Sequence, residues 1–173
     1  KSGLIELIKA GFLKNPELVE QVYEADITKI NTELIKSAVD IKNEITKNDY
    51  KETSERMFLN FGHTIGHLIE IDSQHTISHG EAVGIGILKA LKISEKITKL
   101  NPIITQNFEN FLKKLELNTD YKFNSKPEQL EELLFNDKKF SKGIVKYVLL
   151  KNVGEPLLVD FNLNDLLNEV TDG

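Results

Sequence analysis

Apolar positions recur along most of this chain at intervals of three and four residues, then give way near the C-terminal end to short unbroken runs, and the two patterns predict different structures. Gly3–Leu13 predicts a short helix that is apolar on one side. Asn15-Pro16 predicts a turn, with Pro16 at the first position of a second helix through Tyr23. Across Ile27–Thr46, the residues Ile27, Ile30, Leu34, Ile35, Ala38, Ile41 and Ile45 keep a 3.6-residue period and predict a long helix. Lys51–Ile71 predicts another. Gly80–Leu100 begins nearly all apolar (AVGIGILKAL) and predicts a helix buried within the domain. Asn107–Leu115 and Pro127–Phe135 read as shorter amphipathic helices. Gly143–Leu150 and Pro156–Phe161 are strand-like runs flanking Asn152-Val153-Gly154, which predicts one hairpin, and Asn164–Val170 closes as a helix. The expected fold class is mainly α, a multi-helix domain with a small β-hairpin and no repeats or internal linker.

Composition narrows the function classes. A chain of 173 residues is expected to form one domain with a core of its own. The net charge of −5 argues against nucleic acid as a partner, because phosphate neutralisation needs a basic surface. No apolar run approaches the roughly 18 residues that span a membrane, and the opening residues do not read as a charged-then-apolar leader, so secretion is not expected. The absence of cysteine excludes disulfides, thiolate catalysis and cysteine-based zinc sites, and fits a cytoplasmic location. The chain opens as KSGLIELIKAG, without an initiating Met and already periodic by Leu4, so a fragment of a longer protein is expected.

The candidate chemistry is concentrated in one segment. All four histidines, His63, His67, His75 and His79, lie within seventeen residues, and the only arginine, Arg56, precedes them by seven. On the predicted helix Lys51–Ile71, Glu52, Arg56, Asn60, His63, His67 and Glu70 share one stripe. Phe58, Phe61, Ile65, Leu68 and Ile69 then face the core. A polar stripe commonly faces water, but this chain paints its solvent faces with Lys and Glu, not with Arg, Asn and His. Gly62 and Gly66 each cost a helix about 1 kcal/mol relative to Ala, and are expected where another backbone or a ligand comes close. His63 and His67, spaced i, i+4, can share a metal, and His79 at a helix start can fold back on the same point. Spacing alone leaves open which two or three of them bind. His75, in the polar loop SQHTIS, reads as a surface histidine. Gly84-x-Gly86 follows no predicted strand and lacks a third glycine, so it reads as helix packing and not as a dinucleotide loop.

The run Arg56-x3-Asn60-Phe61-Gly62-His63-Thr64-x-Gly66-His67-x2-Glu70, followed by His79-Gly80-Glu81-Ala82-Val83, resembles 3-dehydroquinate synthase. Gly3-x2-Glu6-x2-Lys9-x-Gly11 resembles the start of that family's C-terminal domain. Lys42 and Asp49-x2-Glu52-x3-Arg56 resemble the approach to its histidine motif, and Asp137-Lys138-Lys139 its C-terminal lysine segment.

The resemblance implies that residues 1–173 form a metal- and substrate-binding C-terminal domain. The N-terminal domain that holds NAD is expected outside this chain. It implies Glu6, His63 and His79 as ligands of Zn²⁺ or Co²⁺, in place of the His63/His67 pair that spacing favours. It implies His67 on the substrate side, near the departing phosphate. Lys9, Lys42, Arg56, Asn60 and Lys139 are implied to bind the substrate's carboxylate, hydroxyls and phosphate, with Glu52 a carboxylate in the same pocket. Lys9, Asn60 and His67 are the implied catalytic set. Outside the resemblance, Glu6 and Lys9 are an ordinary i, i+3 pair, and Lys42 and Lys139 ordinary solvent lysines. The implied reaction converts 3-deoxy-D-arabino-heptulosonate 7-phosphate to 3-dehydroquinate and phosphate, in the shikimate route to aromatic amino acids. A small phosphorylated sugar acid is then the substrate, the full-length enzyme a homodimer, and the fragment inactive by itself. Alternatives are another sugar-phosphate cyclase such as 2-deoxy-scyllo-inosose synthase, a metal-dependent polyol dehydrogenase, or a standalone helical metal-binding domain.

Overall fold

Helix α5, His79–Thr98, is the axis on which the other elements pack, and its composition explains why. From Gly80 to Ser94 it carries apolar or small residues on nearly every face, and all but Glu81 and Lys92 of these fifteen are buried. A computed structural model describes residues 1–27, 29, 31–48, 55–135 and 143–171. Around α5 lie α1 (Ser2–Lys14), α4 (His63–Asp72), α6 (Pro102–Lys114) and the first strand of a hairpin. Helices α2 (Pro16–Glu24) and α3 (Thr32–Asn48) pack on α1, while α7 (Pro127–Phe135) packs on α4 and on α8 (Leu163–Thr171). The result is the expected mainly helical domain with one antiparallel hairpin, β1 (Ile144–Asn152) and β2 (Glu155–Asn162).

Local chemistry sets the helix ends. Asn15 accepts a hydrogen bond from the Leu18 amide at 3.1 Å and is followed by Pro16, so α2 starts where the turn signal predicts. Asn101 with Pro102 starts α6 in the same way, five residues before the apolar period becomes visible at Asn107. Ser78 accepts from the Glu81 amide at 3.4 Å, which fixes His79 in the first turn of α5.

Two expectations change. The long helix predicted from Ile27 begins at Thr32, because Asn31 caps the Glu33 amide; Leu34, Ala38, Ile41 and Ile45 are buried as the period requires, whereas Ile27 and Ile35 are exposed. The predicted helix Lys51–Ile71 is not continuous. Glu55–Asn60 is a 3-10 turn, Gly62 takes a left-handed conformation with φ of 77°, and only then does α4 begin at His63. The cause is a close approach of α5: a Cβ on Gly86 would lie 2.0 Å from the Gly62 carbonyl oxygen, and one on Gly62 would lie 2.8 Å from the Ile87 amide nitrogen. The two glycines let α4 and α5 meet backbone to backbone, and Gly66 against Val83 continues the contact.

The hairpin clamps the far side. Val145 faces Phe161 and Tyr147 faces Val159 across the ladder, with Tyr147 fully buried under the Phe161 ring. Ser94 Oγ receives the Leu150 amide at 3.0 Å and binds β1 to α5, and the Gly154 amide at the hairpin turn donates to the Phe12 carbonyl of α1 at 2.8 Å. Among the described residues, no helix is long and apolar enough to cross a membrane.

Candidate metal and substrate site

Three helix segments bring the predicted polar residues to one place. On α1, the apolar residues Leu4, Ile5, Leu7 and Ile8 turn inward and bury the helix. Glu6 and Lys9 share the neighbouring face, one turn apart. On α4, His63, His67 and Glu70 lie at i, i+4 and i+7, a single face, while Ile65, Leu68 and Ile69 are buried opposite. His79 arrives from the start of α5, which is pressed onto α1: a Cβ on Gly80 would stand 2.4 Å from Ser2 Cα. That contact puts His79 beside Glu6.

Donor atoms of Glu6, His63 and His79 lie within 4.8 Å of one another. The His63 ring centroid is 5.4 Å from that of His79 and 5.6 Å from that of His67. His63 Nδ1 lies 3.3 Å from the Phe61 carbonyl, which accepts its N–H in one neutral tautomer; Nε2 of that tautomer lies 3.4 Å from Lys9 Nζ and 3.9 Å from Glu6 Oε1. Glu6 Oε1 is buried and accepts no well-aligned hydrogen bond, although Lys9 Nζ stands 3.0 Å away. A buried carboxylate oxygen that takes no well-aligned hydrogen bond, next to two imidazoles, suits a divalent ion such as Zn²⁺ or Co²⁺.

Electrostatics favour the same use. Burial would raise the Glu6 carboxyl, but Lys9 and Lys42 outweigh it and hold the group down at about 2. Burial, then the Lys9 charge, pushes the His63 imidazole down to about 4, so the ring is neutral at neutral pH, as a ligand must be. Lys9 is only 3% exposed, and burial lowers its ammonium to about 8 against the pull of Glu6. It also donates to the Leu59 carbonyl at 3.2 Å, which anchors the 3-10 turn to α1. Lys42 reaches over from α3 to pair with the other Glu6 oxygen.

The structure thus brings Glu6, Lys9, Lys42, His63, His67 and His79 into one cluster. Arg56 and Asn60 sit half-buried on the adjoining 3-10 turn, not on the helix stripe that a continuous Lys51–Ile71 would give them. Glu52 and Lys139 lie outside the described residues. His75 is exposed in a turn with φ of 59°. Glu70, on the predicted polar stripe but assigned no role there, has its carboxylate 3.1 Å from His79 Nδ1; its i+3 spacing from His67 was the available signal.

A family model described as 3-dehydroquinate synthase C-terminal matches residues 3–140. A 3-dehydroquinate synthase of Clostridium tetani is 36% identical over 177 aligned positions, covering 98% of this chain and 47% of that protein. One from Clostridium perfringens is 40% identical over 158 positions, covering 88% of this chain and 45% of that protein. The chain therefore spans about half the length of the curated relatives it matches. Among solved structures, 2-deoxy-scyllo-inosose synthase complexed with carbaglucose-6-phosphate, NAD⁺ and Co²⁺ superposes with a TM-score of 0.73 at 22% identity, over 99% of this chain and 52% of that one. A 2-epi-5-epi-valiolone synthase from Streptomyces hygroscopicus with NAD⁺ and Zn²⁺ bound gives 0.76 at 19% identity, over 98% of this chain and 49% of that one. These two likenesses speak for the fold.

Proposed function

This chain belongs to the 3-dehydroquinate synthase C-terminal family, and from that premise we propose that it is the metal- and substrate-binding half of a 3-dehydroquinate synthase. The reaction is conversion of 3-deoxy-D-arabino-heptulosonate 7-phosphate to 3-dehydroquinate and phosphate. The observation that carries this reading is the convergence of Glu6, His63 and His79 beside the buried cation of Lys9. Curated relatives of that name at 36% and 40% identity favour this reaction over others of the fold.

Glu6, His63 and His79 would hold a divalent ion, which would supply positive charge to polarise a substrate hydroxyl. NAD, which we assign to the half of the longer relatives outside this chain, supplies reversible hydride transfer; NAD⁺ with Co²⁺ or Zn²⁺ in the two solved relatives supports both groups. The chain's own side chains bind and orient. Lys9 and Lys42 are cations for substrate oxygens as well as partners of Glu6. Arg56 offers a planar fork that matches a carboxylate or phosphate, and Asn60 a neutral donor and acceptor for a hydroxyl. His67 is exposed on the open side of the cluster, where it meets the leaving phosphate and carries a proton to it. Glu52 and Lys139 are proposed as a further carboxylate and a further cation for the substrate. The same reading makes the full-length enzyme a cytoplasmic homodimer.

A second reading, another sugar-phosphate cyclase, is favoured by the superposition on 2-deoxy-scyllo-inosose synthase. The full-length protein carrying this chain, given NAD and Zn²⁺, separates them. Stoichiometric phosphate and 3-dehydroquinate from the heptulosonate phosphate is the expected result. Phosphate release from glucose 6-phosphate alone would support the second reading, and alcohol oxidation without phosphate release would point to a polyol dehydrogenase.

A further inference from the structure

We propose that Glu70 is a positioning residue for the metal centre, holding the His79 ring by its Nδ1–H so that Nε2 faces Glu6 and His63. The inference rests on the metal reading above and concerns a residue to which that reading gives no part.

The two histidines proposed as ligands, His63 and His79, differ in how they are held. His63 is largely buried, and its Nδ1 is engaged by a fixed backbone group, the Phe61 carbonyl at 3.3 Å. His79 has no such enclosure: its side chain is 49% exposed in the first turn of α5. A solvated imidazole samples several rotamers and both neutral tautomers, and only one combination presents Nε2 to the cluster. Its ring partner is Glu70, with Oε2 at 3.1 Å from Nδ1, and the Glu70 side chain is itself only 17% exposed. The carboxylate sits on α4, whose first turn meets α5 backbone to backbone at Gly62 and Gly86, so acceptor and ring are carried on two closely packed helices. A carboxylate that takes the N–H of a ligand imidazole fixes its tautomer and raises its basicity. Phe61 would do this for one ring, and Glu70 for the other.

A rival geometry exists. Donor atoms of His67, Glu70 and His79 also lie within 4.8 Å of one another, so Glu70 could ligate an ion directly. The observations favour positioning. Glu70 Oε2 is already engaged with His79, whereas Glu6 Oε1 is buried and takes no well-aligned hydrogen bond, only the ion pair with Lys9. His79 also cannot serve two ions while neutral.

Zinc affinity and stoichiometry of the 173-residue chain, measured by competition with a chromophoric chelator, test this without turnover. Glu6→Ala, Glu70→Ala and Glu70→Gln are compared with wild type, and thermal melts of the apo proteins establish that each variant folds. Expected are one zinc per chain throughout the Glu70 series, an affinity loss of about 10- to 100-fold for Glu70→Ala, and recovery of most of that loss in Glu70→Gln, whose amide oxygen still accepts the Nδ1–H. The visible spectrum of the Co²⁺-loaded chain should keep its wild-type shape in Glu70→Gln, as an unchanged ligand set requires. Affinity of Glu70→Ala within twofold of wild type would overturn the role of Glu70 and leave the metal reading standing. Equal loss in Glu70→Gln and Glu70→Ala, or a second zinc in wild type that both remove, would make Glu70 a ligand instead. A wild-type chain that binds no zinc would overturn the metal reading and this inference with it.

Discussion

Lys9 Nζ lies 3.0 Å from Glu6 Oε1, so the carboxylate proposed to hold the ion is already paired with a nearly buried cation. The lysine and an incoming metal compete for the same oxygen, which sets the direction of a mutational test. Lys9→Met keeps the stem volume and removes the charge. Zinc affinity of the variant should equal or exceed that of wild type. Turnover of the full-length enzyme should fall about 100-fold or more, the scale of losing one cation or donor at a reacting oxyanion. Metal content and initial rates on the same preparation check both halves. Loss of zinc from Lys9→Met would show that the lysine supports the ion and does not oppose it.

The backbone contact between α4 and α5 predicts a steep steric penalty. A Cβ on Gly86 would stand 2.0 Å from the Gly62 carbonyl oxygen, a backbone atom that cannot rotate away. Gly86→Ala should cost about 3 kcal/mol or more, at the upper end of overpacking. Gly84→Ala, two residues earlier, should cost far less, because its nearest neighbours are the side-chain ends Leu112 Cδ2 at 3.1 Å and Ile5 Cδ1 at 3.5 Å. Chemical denaturation of the two variants tests the contrast, and equal stabilities would contradict it.

Acid should loosen the α6–α7 connection through Asp72. Burial would raise its carboxyl, but hydrogen bonds from Ser125, the Asn124 amide and Tyr121 hold it below the ordinary range. With the folded value depressed, the stabilisation is present above the ordinary carboxylate range, near pH 4, and is lost as pH falls below it. Asp72→Asn should cost about 1–3 kcal/mol at pH 7 and flatten the fall in stability below about pH 4. An unchanged acid slope in the variant would remove Asp72 from this role.

Much of the fold was legible because it is helical, and the information is local. The period in Leu34, Ala38, Ile41 and Ile45, the turn at Asn15-Pro16 and the apolar saturation of Ala82–Leu91 all identify elements found in the structure. The break at Gly62 was not legible, because it is imposed from outside by Gly86 on another helix. A wheel drawn through Arg56, Asn60 and His63 assumes a helix that the left-handed Gly62 interrupts. The cluster was half legible for a related reason. His63, His67 and Glu70 share a face of α4 by spacing alone, whereas Glu6 with Lys42, and Glu70 with His79, meet only through packing of separate elements. Only the family resemblance pointed to Glu6 beforehand.

The proposed triad meets its most direct test in the metal content of four variants of the full-length enzyme, Glu6→Ala, His63→Ala, His79→Ala and His67→Ala, purified and measured side by side. His63 and His67 are one helical turn apart with ring centroids 5.6 Å from each other, so the i, i+4 pairing is a real competitor. The first three variants should lose the ion together with activity, while His67→Ala should keep close to one equivalent and lose turnover. Loss of metal from His67→Ala equal to that from His63→Ala, with metal retained in Glu6→Ala, would contradict the triad.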